Sequence, residues 1–379
     1  LWQALHINAD ATIRYNKDVN ENHRDQSRAF GISHQGPSMR LTPDVDLLLH
    51  PGSIAECDQF AVMSLPDQTT AALSAACRTS AAPFVGLGGL TGPIDAASLQ
   101  HAARPLDAGQ ADIALLPFHG YEWLETLADL PAAILLRFPQ VIQGSLVVVR
   151  REQLLASVAQ REPNETVHGI LVQLADAGCR INLRSGMLSA APLAAFTPPA
   201  LVPVQHTSSG SGLEQVLEFD PRRVAPVQSR EDITALRAGL FQVHDALPQS
   251  HALAQTIEGR GRHQAGDYWH AIMHRREPDY ANASYWFRHV GAHPIHAELA
   301  SRASRLLAAS AHAEVALWRS RLPLPGRWDS PAFVDLCEQA AADESDPLGQ
   351  VARRIQWTEM LLLLNSTCQD AFGSGSTVE

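Results

Sequence analysis

Short apolar runs alternate with helix-length stretches from Val45 to about residue 183, and after Glu231 the short runs stop. This change of pattern constrains the fold most, because side chains repeat about every 2 residues along a strand and about every 3.6 along a helix. Val45–His50 (VDLLLH), Phe60–Leu65 (FAVMSL), Phe84–Leu87, Ala111–Phe118 (ADIALLPF), Ala132–Phe138 (AAILLRF), Ser145–Arg150 (SLVVVR) and the run CRINLRS read as strands. Four stretches between them read as helices: DQTTAALSAACRTS with Asp67 as N-cap, GYEWLETLADL with Tyr121, Leu124 and Leu127 on one side, REQLLASVAQ, and ETVHGILVQLADAG stopped by Gly178. Strands separated by helices predict an α/β domain over residues 1–195 with a mostly parallel sheet.

Residues 196–230, with Pro198-Pro199 and the run TSSGSG, predict a linker. Residues 231–372 read as helices throughout, including one Ala/Leu-rich helix near 296–320, and predict an all-α domain of helical hairpins. Residues 373–379 (GSGSTVE after the last helix) predict a disordered tail.

Composition narrows the partners. At 379 residues, 45% of them hydrophobic, the chain can form two cores. A net charge of −11, with Lys17 the only lysine, argues against nucleic acid as a partner. No apolar run approaches the roughly 20 residues that cross a bilayer, so no membrane partner is expected. The start, LWQALHINADATIRYN, lacks the pattern of a secretory signal. Cys57, Cys77, Cys179, Cys337 and Cys368 are odd in number and widely spaced. They read as buried free thiols in a reducing compartment, and the expected location is cytoplasmic. No feature specifies an oligomeric state.

Chemistry-bearing side chains concentrate in Glu258–Pro294, which holds six aromatics and five histidines. Aromatics make a rigid frame, and histidine and arginine supply directed donors. Arg260, Arg262 and His263 occupy the glycine-punctuated loop EGRGRH before the helix AGDYWHAIMHRR. Backbone N–H groups at a helix start attract anions, and arginines add charge-assisted bonds. His270 and His274 share a helix face, and Trp269 lies about 100° away, where it can enter the core. Arg260, Arg262, His263, His270, His274, Arg275 and Glu277 are therefore the candidate ligand-binding residues, expected to face a shared concavity and to take a small anionic ligand or peptide. His270, His274 and Glu277 are alternatively candidate ligands for a divalent metal. Ala271 follows His270, so no HExxH base is embedded. No other cofactor is expected: Gly86 and Gly88 follow a strand, but Thr91 stands where a dinucleotide loop carries its third glycine, and no GxSxG occurs.

Two family resemblances add to this reading. HDALPQSHALAQTI laid on REPDYANASYWFRHV with a shift of 33 residues puts Leu247 on Tyr280, Ser250 on Ala283 and Ala254 on Phe287. The period and the segment DYANASYWFRHVGAHP resemble a tetratricopeptide-like repeat, which implies Ala283 at a helix crossing, Phe287 in a groove and Pro294 at the stop. Within residues 144–182, GSLVVVRREQLL followed by LVQLADAGCRI resembles the later part of a family 2 glycosyltransferase domain. That resemblance implies acidic residues before the second helix, where Thr166 and Val167 stand with Glu165 one residue early. It also implies a DxD metal motif after ADIALLPF, where only His119 and Glu122 could serve. Three functions follow as expectations: a binding or scaffold protein for an anionic ligand, a glycosyltransferase-like enzyme with altered catalytic positions, and a metal-dependent enzyme using His270 and His274.

Overall fold

The computed structural model describes residues 45–49, 54–56, 62–64, 69–159, 166–183, 188, 190–193, 195–203, 217–324 and 327–373. Asp67, Cys57, Glu165, Lys17, the run TSSGSG and residues 374–379 lie outside them. The α/β region supplies strands β1 (Val45–Leu49), β2 (Ile54–Glu56), β3 (Val62–Ser64), β4 (Phe84–Gly88), β5 (Leu90–Pro93), β6 (Ile113–Pro117), β7 (Ser145–Arg150), β8 (Ile181–Leu183) and β9 (Ala191–Pro192). Its helices are α1 (Thr70–Thr79), α2 (Ala96–Asp107), α3 (Ala132–Leu135), α4 (Pro139–Gln143), α5 (Arg151–Val158) and α6 (Val167–Asp176).

The main sheet runs β3-β1-β4-β7-β6-β8, and a smaller one runs β2-β5-β9. In the main sheet β1 pairs in parallel with β3 and β4, and β6 with β8, but β7 is antiparallel to both its neighbours. The sheet is therefore mixed, where the sequence predicts a mostly parallel one. The cause lies at residues 132–138, expected as a strand. Pro131 instead precedes a single helical turn, α3, and Pro139 opens α4. A short apolar run has no period to separate buried helix from buried strand. With no strand there, the chain folds back and β7 returns beside β6 in the opposite sense. GYEWLETLADL likewise forms a 3₁₀ turn over Glu122–Leu127, with Tyr121, Leu124 and Leu127 buried as its spacing requires.

Gly86 and Gly88 lie inside β4 rather than in a loop. A β-carbon at Gly86 would sit 2.9 Å from a methyl of Leu47, and one at Gly88 3.1 Å from a methyl of Leu146. They serve close packing of the central strands. Cys77, Cys179, Cys337 and Cys368 are buried free thiols, and burial pushes Cys337 and Cys368 up to about 12.

The remainder is helical: α7 (Pro221–Val224), α8 (Arg230–Val243), α9 (Leu247–Gln255), α10 (Ala265–Arg276), α11 (Tyr280–Val290), α12 (His296–Ala309), α13 (Ala313–Trp318), α14 (Ser330–Ala340) and α15 (Pro347–Phe372). The helix expected over 296–320 breaks at Ser310, whose backbone is extended. A two-residue hairpin, Pro323–Leu324 with Arg327–Trp328, interrupts the helices. Side-chain oxygens cap the starts: Ser229 accepts from Asp232 N, Asp279 from Asn282 N, Asp329 from Ala332 N and Asp346 from Gly349 N. Among the described residues no helix is long and apolar enough to cross a membrane.

The described part of the expected linker is held against the helices. Carbonyls of Pro198, Pro199 and Ala200 accept from Arg353, Arg276 and Gln356. Glu344 accepts from the N–H groups of Leu201 (2.9 Å) and Val202 (3.0 Å). Phe196 packs between Trp123 of the α/β region and Trp357 of α15, at 5.1 and 5.6 Å between ring centroids. His244 Nε2 meets the carbonyl of Arg137 at 3.1 Å.

At the centre of the helical region, all twelve residues of α10 are buried. Trp269 lies against Gly239 of α8, where a β-carbon would stand 2.6 Å from the indole. Because that ring is fully buried, it has nowhere to move. Gly239→Ala should lower the unfolding free energy by about 1–3 kcal/mol, and Trp269→Ala by about 3–5 kcal/mol, in denaturant titrations.

Candidate functional site

The connection between α9 and α10 makes a tight antiparallel hairpin. Near the turn, Ile257 fills the space beside Gly266, and Gly259 N–H donates to both carboxylate oxygens of Asp267 at 3.1 Å. Further from the turn, His251 of α9 meets His270 and His274 of α10, with ring centroids 4.8 and 5.2 Å away. His270 and His274 stack at 4.7 Å, as a spacing of four residues on one helix allows. One potential ligand atom from each of the three rings lies within 4.8 Å of the others.

The hydrogen bonding of this group is incomplete. His274 Nε2 lies 3.0 Å from His270 Nε2 and 3.1 Å from Asn282 Nδ2. His251 Nε2 and His270 Nδ1 are buried without a hydrogen-bond partner. A single lone pair at His274 Nε2 cannot satisfy two donors well, so several nitrogens converge with few protons to share. Burial, followed by the neighbouring His274 and His251, pushes His270 down to about 3. Burial lowers His274 in the same direction. Both rings are therefore neutral at pH 7, with lone pairs available. Trp286 of α11 covers His270 at 4.3 Å between ring centroids. His270 and His274 are only 4% and 7% exposed, whereas His251 and Asn282 are half-buried.

The other sequence candidates lie elsewhere. Glu277 is the exposed C-cap residue of α10 and is not part of the histidine group, whose third member is His251. Arg275 points to α15: Nη2 donates to Glu359 Oε2 at 2.5 Å, and the Tyr268 hydroxyl donates to Glu359 Oε1 at 2.9 Å. The Arg275 guanidinium also lies over the rings of Phe333 (4.5 Å) and Phe287 (5.6 Å), which stand in for missing acceptors at its buried Nε and Nη1. His263 Nδ1 pairs with Asp370 Oδ2 at 2.7 Å. Arg262 N–H donates to Asp232, and the Arg260 guanidinium donates to the Thr256 carbonyl. None of these contacts reaches His251, His270 or His274. The structure thus brings His270 and His274 together and sets Arg260, Arg262, His263, Arg275 and Glu277 apart from them.

Sequence reasoning missed His251. It precedes the end of α9 by four residues, and His270 follows the start of α10 by five. Positions equidistant from the turn of an antiparallel hairpin meet, and that count was the available signal. In the α/β region, Thr166 caps α6 by accepting from Gly169 N at 3.1 Å, and Glu122 Oε1 accepts from Gly120 N at 2.9 Å. No protein-family model matches this chain, and no curated protein and no solved structure matches it either.

Two predictions follow from the buried polar groups. Removing one partner of a buried ion pair leaves the other charge uncompensated. Glu359→Gln should therefore destabilise the fold by about 3–5 kcal/mol in denaturant titrations, and the double variant Arg275→Met/Glu359→Leu should recover part of that loss. The second concerns pH. Burial pushes His293 down to about 3, and His244 and His296 down to about 4, from an ordinary value of 6.5. The unfolded chain binds protons at these sites that the folded chain refuses. Their contribution is complete above about pH 6.5 and is lost as pH falls toward 4 and then 3. Melting temperature should fall across that window, and His244→Gln should flatten the fall.

Proposed function

We propose that this protein binds a divalent transition-metal ion in its helical region through His251, His270 and His274. The observation that carries this reading is the convergence of three imidazoles, two of them buried and neutral, with nitrogens left unpartnered. Two hydrogen-bonded histidines would be an ordinary structural pair. A third ring whose buried Nε2 finds no donor or acceptor is not explained by such a pair. A cation at the centre would engage one nitrogen of each ring and give the buried His251 Nε2 the partner it lacks.

The donor set indicates the class of ion. Imidazole suits zinc, copper, nickel and iron, whereas calcium and magnesium require oxygen ligands. Metal–nitrogen bonds of about 2.0–2.1 Å in a tetrahedron place ligand nitrogens about 3.3–3.4 Å apart. The 3.0 Å between His270 Nε2 and His274 Nε2 is close to that edge. Rotation of imidazoles closes the longer separations without moving the helices.

The frame suits the purpose. His270 and His274 stand on a helix locked from its other side by Trp269, Arg275 and Arg276, so their Cα positions do not depend on the ion. Neutral imidazoles also need no deprotonation before binding.

The test is metal uptake by the full chain. Metal-free protein titrated with Co²⁺ or Zn²⁺ should take up one equivalent, and its melting temperature should rise. At free metal about a hundredfold above Kd the stabilisation should reach about 2.7 kcal/mol. Each of His251→Ala, His270→Ala and His274→Ala should weaken uptake on the order of a hundredfold or more, since even outer-shell partners are worth 10–100-fold. Glu277→Ala should bind as the unaltered protein does. If the protein binds no ion at micromolar metal, or if His251→Ala binds as well as the unaltered chain, the reading fails.

A further inference from the structure

We infer that the ion held by His251, His270 and His274 keeps a fourth position for a small carboxylate-class monoanion, which the side-chain amide of Asn282 orients. This rests on the three-histidine reading above and adds the ligand.

The first argument is charge. Three neutral imidazoles bring no negative charge to a divalent ion, and an uncompensated charge beside buried rings is costly. No carboxylate belongs to the described histidine group. Asp279 comes nearest, with Oδ2 3.9 Å from His274 Nδ1, which exceeds hydrogen-bonding reach. Its other oxygen accepts from Asn282 N at 3.2 Å and caps α11. Asp279 is thus committed to the helix start and faces solvent. Among the described residues no carboxylate is placed to ligate the ion, and an external anion would supply that charge.

The second argument is access. Trp286 closes the side of the group next to His270, and the rings of His270 and His274 are buried. His251 and Asn282 are only half-buried, so a path from solvent to the fourth position would run between them. Sites that hold zinc for structure close all four positions with protein ligands, and sites that leave one open exchange it with water or substrate.

The third argument is the donor. Asn282 Nδ2 lies 3.1 Å from His274 Nε2, a nitrogen that would face the ion. Once that lone pair is engaged by the metal, the amide N–H loses its acceptor and is free to donate. An oxygen of an anion on the metal lies within its reach. One amide donor and one metal bond match the two oxygens of a carboxylate. Phosphate would need further cationic donors, and the two adjacent arginines are committed elsewhere. Arg275 donates to Glu359, and Arg276 donates to the Gln242 carbonyl, to Asp245 and to the Ala200 carbonyl.

The experiment uses the full chain loaded with Co²⁺, whose visible absorption reports its coordination. Acetate should shift the band saturably, and inorganic phosphate at equal concentration should shift it less. Asn282→Ala should still take up Co²⁺ but bind acetate about tenfold or more weakly, the expected loss of one hydrogen bond to a charged partner. Asn282→Asp should place a carboxylate beside the ion from within the chain, tighten Co²⁺ uptake and abolish the acetate response. Bound Co²⁺ with a spectrum indifferent to acetate in the unaltered chain overturns the inference and leaves the three-histidine site standing. A stronger response to phosphate than to acetate, or an unchanged acetate affinity in Asn282→Ala, overturns it as well. Failure of the unaltered chain to take up Co²⁺ removes both readings.

Discussion

A helix with no exposed face cannot carry charge unless its neighbours answer it, and α10 carries six ionisable side chains among twelve buried residues. Asp267 is answered by the Gly259 N–H, Arg275 by Glu359, and Arg276 by two carbonyls and Asp245. Each answer fixes a different neighbour: the loop before α10, the long helix α15, the end of α8 and the extended chain around Ala200. Polar groups in such a setting are worth more as specification than as stability, because a buried ion pair often does no better than apolar residues of equal volume. Hydrophobic contacts would hold these helices together, and the directed bonds select one register among them.

The same constraint isolates the histidines. With Arg275 and Arg276 drawn to α15 and α8, the third face of α10 is left to His270 and His274, and it meets α9 and α11. Those helices offer His251, Asn282 and Trp286, none of which carries a formal negative charge. Burial then lowers both rings and removes the protons that would otherwise make the cluster repulsive. What remains is a set of lone pairs with a cationic framework near it and no anion within it. The proposed affinity for a positive ion and the proposed external anion would share this one origin.

Much of this frame was legible in the sequence and some was not, for physical reasons. Helical stretches beginning near residues 231, 279, 330 and 348 could be read because helical period is local, and the structure caps their starts with Ser229, Asp279, Asp329 and Asp346. Trp269 could be placed in the core, and His270 and His274 on one face, for the same reason. AAILLRF could not be resolved, since a short apolar run has no period, and that one ambiguity hid the antiparallel strand. Arg275 was expected beside a ligand because the sequence shows its charge but not Glu359, which is 84 residues away. The anion-binding loop was expected from Gly259, Arg260, Gly261 and Arg262. The φ of +65° at Gly259 and +91° at Gly261 does require glycine, but the backbone N–H groups there turn inward to Asp267 and Asp232.

The division of labour within α10 separates the residues that hold the fold from those of the proposed site. Trp269, Arg275 and Arg276 bind the helix to its surroundings through groups that stay charged or apolar at any physiological pH. The His270 and His274 rings meet His251, Asn282 and Trp286. A site on the rigid face of a fully buried helix keeps its geometry when its ligand leaves, so the organisation cost falls on folding and not on binding. Had the histidines also supplied the contacts to α15, ligand loss would loosen the core, and affinity would be coupled to stability. Because Glu359 and Tyr268 take that role, the three rings are free of the contacts that hold α10 to α15.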